Sequence, residues 1–308
     1  MPLVPALPLL QAARAAGYAL PAFNVCDLEF VQAVAGAAAD ENAPAFVAVT
    51  ESALDFGGDA FIRAALDIIG AAPVPLVLHL DHGSGLAVAR RAVALGFRSV
   101  MVDGSKLPYA DNVALVAAAV REFAPAGIQV EAELGHVGHG DRGGGKAASA
   151  DEGVLTEPDR AAAFVAATGA DSLAVAVGTS HGAYKFQGEP TIDVARLAAI
   201  AAATPAPLVL HGASAVYEDV VGEVEAAGGA LSAARGLPDA LLAQAVARGV
   251  AKVNVDTDLR LAFVAAVRGL FRDAPATIDP KVILGRGREA VRRMARRKLA
   301  ACGAAGRV

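Results

Sequence analysis

The chain has 308 residues, of which 55% are hydrophobic, 19% charged and 5% aromatic. Its 27 basic and 32 acidic residues give a formal net charge of −5, which argues against a general nucleic-acid binder. Charges or glycines interrupt every apolar stretch before about 18 residues, and the N-terminus lacks the pattern of a signal peptide. Two cysteines, Cys26 and Cys302, are too few for a disulfide framework. We therefore expect a cytoplasmic globular protein without a membrane partner.

Short β-branched segments alternate with alanine-rich helical segments along the chain. The predicted strands are residues 21–25, 45–50, 75–81, 99–103, 129–133, 172–178, 207–211 and 252–256. The helical segments between and after them include residues 28–41, 86–95, 158–168 and 258–271. Strands that alternate with helices form βαβ units and a parallel sheet. Eight such units predict an α/β fold, a closed (β/α)8 TIM barrel, and no glycine-rich turn follows the first strand as in a doubly wound sheet.

Three regions depart from this alternation. Residues 135–153 form a long, polar, glycine-rich segment after the fifth strand, which is typical of a mobile functional loop. Residues 222–238 predict an insertion ahead of the eighth strand. Residues 279–308 predict additional C-terminal helices, most of whose arginines we expect on a solvated face. No shift in composition divides the chain, so we predict one domain over residues 1–308.

Histidines concentrate at the carboxyl ends of the predicted strands, where TIM barrels carry their active sites. All six lie at or near such an end: residues 79, 82, 136, 139, 181 and 211. His82, His181 and His211 follow three different strands and could converge on one metal ion. Three imidazoles leave coordination positions open, as in catalytic zinc sites, although cobalt, manganese and iron also accept imidazole.

Carboxylates and small polar residues occupy the same ends. Asp81 precedes His82, so it is placed either as a general acid/base or as a residue that orients a ligand histidine. Asp103 and Glu133 either hold a second metal or pair with lysines. Glycines and hydroxyls after strands six to eight predict a phosphate site, although each alone also fits a turn or a helix N-cap.

The strand-end motifs resemble those of class II, metal-dependent fructose-bisphosphate aldolases. They are LHLDHGS at 78–84, VEAELG at 130–135, GTSHG at 178–182 and LHGAS at 210–214, with PAFNV at 21–25, SVMVD at 99–103 and KVNVDTD at 252–258. The resemblance extends from about Leu9 to Gly306. It implies zinc-dependent, reversible cleavage of fructose 1,6-bisphosphate to dihydroxyacetone phosphate and glyceraldehyde 3-phosphate. The tagatose-bisphosphate aldolases share these motifs, so tagatose 1,6-bisphosphate is the alternative substrate.

The same resemblance implies roles for individual residues. His82, His181 and His211 would bind zinc, which would act as a Lewis acid, and Asp81 would exchange the proton of the C4 hydroxyl. Asp103 and Glu133 match an alternative metal position. The residues that would hold the sugar and its phosphate are Asn24, Thr50, Gly182, Gly212, Ser214, Asn254, Asp256 and Thr257. The carbonyl groups that match the family's site for a monovalent cation, Na⁺ or K⁺, belong to Ser180, Gly182 and Gly212.

Two further residues match the family with a change of type. Asp141 best matches the loop acid that moves the C3 proton, although the usual residue is the longer glutamate. Lys281 follows Asp279 and Pro280 where the family usually has an arginine that binds the second phosphate across a subunit interface. Lysine keeps the charge and loses the bidentate fork. A site completed by a neighbour implies a homodimer or a homotetramer.

Three other functions are alternatives. A Schiff-base aldolase needs a buried lysine near a strand end, and residues 174–177 of the sixth strand contain none. A metal-dependent hydrolase barrel often carries paired histidines on the first strand, where Asn24 stands. The altered loop at residues 139–141 also leaves a noncatalytic metal-binding barrel as an alternative.

Overall fold

The computed structural model describes residues 4–139, 154–184, 186, 189–231 and 233–308. Its strands are β1 (Leu20–Asn24), β2 (Ala45–Thr50), β3 (Leu76–Gly83), β4 (Ser99–Val102), β5 (Gln129–Leu134), β6 (Gly138–His139), β7 (Ser172–Val175), β8 (Ser180–His181), β9 (Leu208–Leu210) and β10 (Val250–Val255). Eight of them form a closed parallel barrel in the order β1-β10-β9-β7-β5-β4-β3-β2. The predicted TIM barrel is confirmed. The strands β6 and β8 pair separately, so that His139 lies beside His181 in register.

Helices surround the barrel. They are α1 (Ala6–Ala16), α2 (Leu28–Asp40), α3 (Glu51–Ala71), α4 (Leu86–Ala94), α5 (Tyr109–Phe123), α6 (Pro158–Thr168), α7 (Val194–Ala203), α8 (Glu218–Ala226), α9 (Asp239–Val246), α10 (Thr257–Asp273) and α11 (Pro280–Ala301). The four helices predicted from the sequence correspond to α2, α4, α6 and α10, with ends within two residues. Within the described ranges, no helix is both long and apolar enough to cross a bilayer.

Local sequence sets where these helices begin. The side chain of Asp27 accepts a hydrogen bond from the backbone N–H of Phe30 at 2.8 Å and caps α2.

Helix α1 is anchored to the end of α7 by the Arg14 guanidinium, which donates to the carbonyl groups of Ala201 and Ala206, each at 2.8 Å. Free carbonyl groups at a helix end need such partners.

The insertion and the tail differ from expectation. Helix α8 ends at Ala226, so residues 222–238 begin inside a helix, and only residues 227–238 connect it to α9. The described tail contains one helix, α11, which packs against α2 and α10. Arg292 pairs with Asp40 and Arg296 with Glu41, each at 2.6 Å. This part of the arginine face therefore forms contacts between helices instead of only facing solvent.

Every residue of β1, β5 and β10 is buried. Barrel strands are covered outside by helices and filled inside by their own side chains. Side chains two positions apart share one face of a strand, so buried polar residues at alternate positions lie together inside the barrel. Such pairs are His79 with Asp81, Glu131 with Glu133, and Lys252 with Asn254.

Candidate active site

A cavity of about 590 Å³ opens at the carboxyl ends of the barrel strands. The structure brings most of the predicted site residues into its lining: Asn24, Thr50, Asp81, His82, His181, Gly182, Gly212, Ser214, Asn254, Asp256 and Thr257. Thr50 caps α3, and its Oγ1 accepts the backbone N–H of Ala53 at 3.2 Å. Thr257 begins α10, so the positive end of that helix faces the same region.

Three histidines converge at the cavity floor from β3, β8 and the residue after β9. The His82 ring centroid lies 5.1 Å from that of His181 and 4.6 Å from that of His211. One nitrogen from each ring lies within 4.8 Å of the others. The donor set is therefore the one expected for a zinc ion with open coordination positions.

Carboxylates orient two of these rings. Asp103 Oδ2 lies 2.8 Å from His82 Nδ1, and Glu131 Oε1 lies 3.1 Å from His211 Nε2. Because a carboxylate accepts the ring N–H, His82 Nε2 and His211 Nδ1 are left as the lone-pair nitrogens. These two atoms face each other at 2.9 Å, a placement that suits a shared cation between them. The residues thus fit a divalent metal.

The surroundings of His82 carry strong negative potential. Burial acts to lower the pKa of its imidazole, but the carboxylates of Asp81, Asp103 and Glu133 outweigh burial and raise the pKa to about 10. The backbone of His82 has φ +49°, a conformation that is rare outside glycine. A cation is therefore favoured at this position.

Glu133 belongs to a second group of metal-ligating side chains. It lies with His82 and Asp103 so that one donor atom from each is within 4.8 Å of the others. Burial, and then the nearby Asp103, raise the pKa of Glu133. Within the described ranges, no hydrogen bond reaches its Oε2. The two carboxylates are thus placed where the sequence predicted an alternative metal position.

Asp81 is held by two amides. Its Oδ2 accepts from Asn24 Nδ2 at 2.7 Å and its Oδ1 from Asn254 Nδ2 at 2.9 Å. Burial acts to raise the pKa of this carboxyl group, but the electrostatic influence of His82, His211 and Lys252 outweighs burial and lowers the pKa to about 2. Asp81 is therefore a fixed anionic base beside the histidine cluster.

A ring of six polar side chains lies inside the barrel below the cluster: Lys252, His79, Ser99, Gln129, Ser172 and Glu131. Lys252 Nζ donates to both carboxylate oxygens of Glu131, each at 2.9 Å, and to His79 Nε2 at 3.1 Å. Burial and the charge of Lys252 lower the pKa of His79 to about 3, so its ring is neutral and its Nδ1–H donates to Ser99.

The ring has one consistent direction of hydrogen bonds. From Ser99 the donors continue through Gln129 to Ser172, which donates to Glu131 Oε2 at 3.4 Å. Burial acts to raise the pKa of Glu131, but Lys252, the hydrogen bond from His211 and the nearby His79 together outweigh burial and hold that pKa well below its usual range. Glu131 therefore stays ionised and accepts the N–H of His211.

Glu131, Lys252 and Arg260 were not predicted as site residues from the sequence. Lys252 and Glu131 precede Asn254 and Glu133 by two positions, and this spacing was the available signal, because it places them on the same inward face. Arg260 is the one lysine or arginine that lines the cavity among the described residues. Its Nε lies 2.6 Å from Asp256 Oδ1, the i,i+4 spacing of a helical ion pair.

Lys281 is a predicted site residue that the structure places away from this cavity. Lys281 lies at the start of α11, where its side chain is 88% exposed and pairs with Asp279 at 3.0 Å. It does not line the cavity of its own chain. Asp141 lies outside the described residues, as does most of the predicted loop at 135–153. The pairing of β6 with β8 brings the chain to His139 beside a candidate metal ligand.

Gly212 lies where the chain after β9 passes close to the backbone of Ser180. Its φ is +64°, and a Cβ there would lie 2.5 Å from the Ser180 carbonyl oxygen. We expect Gly212→Ala to reduce the free energy of unfolding by about 1–3 kcal/mol and to lower kcat/KM, because the segment bearing His211 must move. Chemical unfolding and steady-state kinetics measure the two effects.

Gly222→Ala is the matched control. Gly222 lies inside α8, and an added Cβ would meet nothing within 4 Å. Alanine favours a helix over glycine, so this variant should gain about 0.5–1 kcal/mol with unchanged kcat/KM. Equal effects of the two substitutions would contradict the assigned role of Gly212.

The architecture is that of a metal-dependent TIM-barrel enzyme, with its candidate ligands at the strand ends. The family model for fructose-bisphosphate aldolase class-II matches residues 4–307. A fructose-bisphosphate aldolase of Thermus caldophilus is 43% identical over 305 residues, covering 99% of each chain. One of Giardia intestinalis is 38% identical, covering 99% of this chain and 94% of that one. The crystal structure of the YdjI aldolase of Escherichia coli K12 has a TM-score of 0.80 at 28% identity and covers 99% of each chain.

The chain belongs to the class II fructose-bisphosphate aldolase family. This family is metal-dependent, and its members are aldehyde-lyases that act on phosphosugars. The prediction from the sequence motifs is confirmed at the level of family and chemistry.

Proposed function

We propose that the protein catalyses the reversible cleavage of fructose 1,6-bisphosphate to dihydroxyacetone phosphate and glyceraldehyde 3-phosphate, with Zn²⁺ held by His82, His181 and His211. The main support is Asp81, a buried anionic base fixed by two amides beside the histidine cluster. The names of the curated relatives support this sugar as the substrate.

The chain's own residues account for the proton transfers. Asp81 takes the proton of the C4 hydroxyl, the C3–C4 bond breaks, and the aldehyde forms at C4. The electron pair of the broken bond passes to the ketose half, where bound zinc supplies Lewis-acid stabilisation. Asp141 returns a proton to C3. Support for Asp141 comes from the β6–β8 pairing, which brings the chain to His139 two residues earlier.

The ends of the cavity provide the phosphate contacts. We assign one phosphate to Gly182, Gly212, Ser214 and the start of α10 at Thr257, since helix N-termini and glycine turns present backbone N–H groups to anions. A monovalent cation, Na⁺ or K⁺, would be held by the carbonyl groups of Ser180, Gly182 and Gly212. The close approach of Gly212 to the Ser180 carbonyl supports this grouping.

The distal phosphate requires a second copy of the chain. Lys281 is exposed and does not line the cavity of its own chain, which supports assigning its charge to the site of another subunit. Arg260, which does line the cavity, would share that phosphate. We therefore infer a homodimer or a homotetramer. We also propose that residues 1–308 form one domain and that the enzyme acts in the cytoplasm.

Metal removal tests this function. We expect a chelator to abolish cleavage of fructose 1,6-bisphosphate in a coupled assay, and added Zn²⁺ to restore it, because the metal stabilises the charge that develops on the ketose half. The same assay on tagatose 1,6-bisphosphate measures sugar preference through kcat/KM. Activity that survives complete metal removal would refute the mechanism. A higher kcat/KM for tagatose 1,6-bisphosphate would show that tagatose 1,6-bisphosphate, and not fructose 1,6-bisphosphate, is the preferred substrate.

A further inference from the structure

The segment after β9, residues 212–217, carries Ser214 at the cavity wall and is here called the serine segment. The Ser214 hydroxyl accepts the backbone N–H of Asp256 at 3.3 Å, and the Ser214 carbonyl accepts that of Leu237 at 2.9 Å. Two residues later, Val216 has φ +50°. A β-branched residue is strained in the left-handed region, so other contacts must hold this shape.

One buried carboxylate supplies those contacts. Asp258 lies in the first turn of α10 and is 1% exposed. Its Oδ2 accepts the backbone N–H of Ala215 at 2.8 Å, and its Oδ1 accepts that of Val216 at 2.7 Å. Both oxygens are thus committed to consecutive amides of the serine segment. Charge-assisted hydrogen bonds of this kind are strong, but a buried carboxylate needs a compensating cation.

That cation comes from the C-terminal helix. Lys298 on α11 has a fully buried side chain, and its Nζ lies 3.7 Å from Asp258 Oδ2 and 3.4 Å from Asp239 Oδ1. Asp239 in turn accepts the hydroxyl of Tyr217, at 2.8 and 2.9 Å to its two oxygens. One lysine therefore lies against two carboxylates, and each carboxylate holds a different part of the serine segment.

We propose that Lys298 is a positioning residue for the phosphate end of the substrate site. It stabilises the ionised Asp258 and Asp239, and these hold Ala215, Val216 and Tyr217 so that Ser214 faces the cavity. The role of Lys298 rests on the proposed function, because Ser214 is assigned there to the phosphate. Helix α11 thus contributes to ligand binding through a residue that does not touch the ligand.

Lys298→Met tests the proposal in the zinc-loaded full-length protein. We expect KM for fructose 1,6-bisphosphate to rise on the order of tenfold, with kcat within about twofold, because phosphate binding weakens while zinc and Asp81 stay in place. Hydrogen exchange of the Ala215 and Val216 amides should accelerate by at least about tenfold as their acceptor becomes less fixed. Lys298→Gln gives the same comparison if the methionine variant does not fold.

Arg14→Met is the matched control for lost stability. Arg14 anchors α1 to the end of α7 by hydrogen bonds to several carbonyl groups, away from the cavity. It should lower the midpoint of unfolding without changing KM or the exchange of the Ala215 and Val216 amides. The proposal is overturned if the Lys298 variants keep either the wild-type KM or the wild-type exchange rates, or if Arg14→Met raises KM equally.

A double variant checks the charge argument. Lys298→Met combined with Asp258→Asn should lose less stability than the two single variants together, since it leaves no unpaired charge at Asp258. Additive losses would contradict the coupling of these two residues. If the wild-type protein does not cleave the sugar, the proposed function fails, whereas unchanged amide exchange in active enzyme overturns only the role of Lys298.

Discussion

Asp81→Asn should lower kcat for fructose 1,6-bisphosphate by about 10²- to 10⁴-fold, the range that general-base catalysis contributes. Asparagine cannot take the C4 hydroxyl proton. Its own amide would also face the donor groups of Asn24 and Asn254, which now both point at carboxylate oxygens. Zinc content should remain at the wild-type level, because Asp81 belongs to neither group of candidate metal ligands.

The control for this experiment is a surface carboxylate. Asp59 lies on α3 and hydrogen-bonds to Arg91 in an exposed pair at 3.0 Å, so Asp59→Asn should leave kcat and zinc content unchanged. Coupled-assay kinetics and metal analysis of both variants give the comparison. An Asp81→Asn enzyme within tenfold of wild-type kcat would remove Asp81 from the proton transfer.

Glu131→Gln should have the largest effect on stability. Lys252 and Glu131 are both fully buried and bonded at 2.9 Å, so neutralising the carboxylate leaves an ammonium group inside the barrel without its anion. Losing one partner of a buried pair costs about 3–5 kcal/mol. Zinc affinity should also fall about 10- to 100-fold, because His211 loses the carboxylate that accepts its N–H.

Two measurements separate these effects. Denaturant unfolding of the zinc-free protein reports stability, and competition with a chromogenic chelator reports zinc affinity. The double variant Glu131→Gln/Lys252→Met should recover much of the stability, since no charge remains unpaired, but should not recover zinc affinity. Recovery of both, or loss of neither in the single variant, would contradict the role of the polar ring in orienting His211.

Lys252 also bears on the Schiff-base alternative. Residues 174–177 of the sixth predicted strand contain no lysine, whereas β10 carries the buried Lys252. Its Nζ is engaged by Glu131 and His79 and does not line the cavity. A Schiff base requires a neutral amine that the substrate carbonyl can reach. This lysine therefore supports the metal cluster instead of offering a second mechanism.

The barrel was predictable because its signal is repeated. Each strand is a short apolar run and each helix is an alanine-rich run. An error in where one strand or helix ends therefore does not change the count of eight strand–helix units. The end of β3 was misplaced by two residues, since His82 continues the strand in a left-handed conformation that the sequence does not signal. The convergence of the three candidate ligand histidines was also predictable, because glycine-flanked histidines at strand ends form an unusual pattern.

The supporting network was not readable in the same way. Both faces of these strands are buried, so hydrophobic periodicity does not show which side chains point inward. A lysine such as Lys298 within an arginine-rich helix looks like part of a solvated surface, and only the packing of α11 shows that it is fully buried. Contacts between distant segments, such as Asp258 with the amides of Ala215 and Val216, depend on the closed barrel.

Closure of the barrel also brings together the two amides that hold Asp81. Asn24 lies on β1 and Asn254 on β10, the first and last barrel strands, which pair with each other. Asp81 and His82 are synthesised early, in the first third of the chain. Asp81 accepts the hydrogen bond from Asn254 only after β10, the last barrel strand, has docked. Truncated products that end before β10 would therefore contain all three candidate ligand histidines and Asp81, but would lack Asn254, the second amide donor to Asp81. Closure of the barrel by β10 therefore also completes the hydrogen-bonding partners of the candidate proton acceptor.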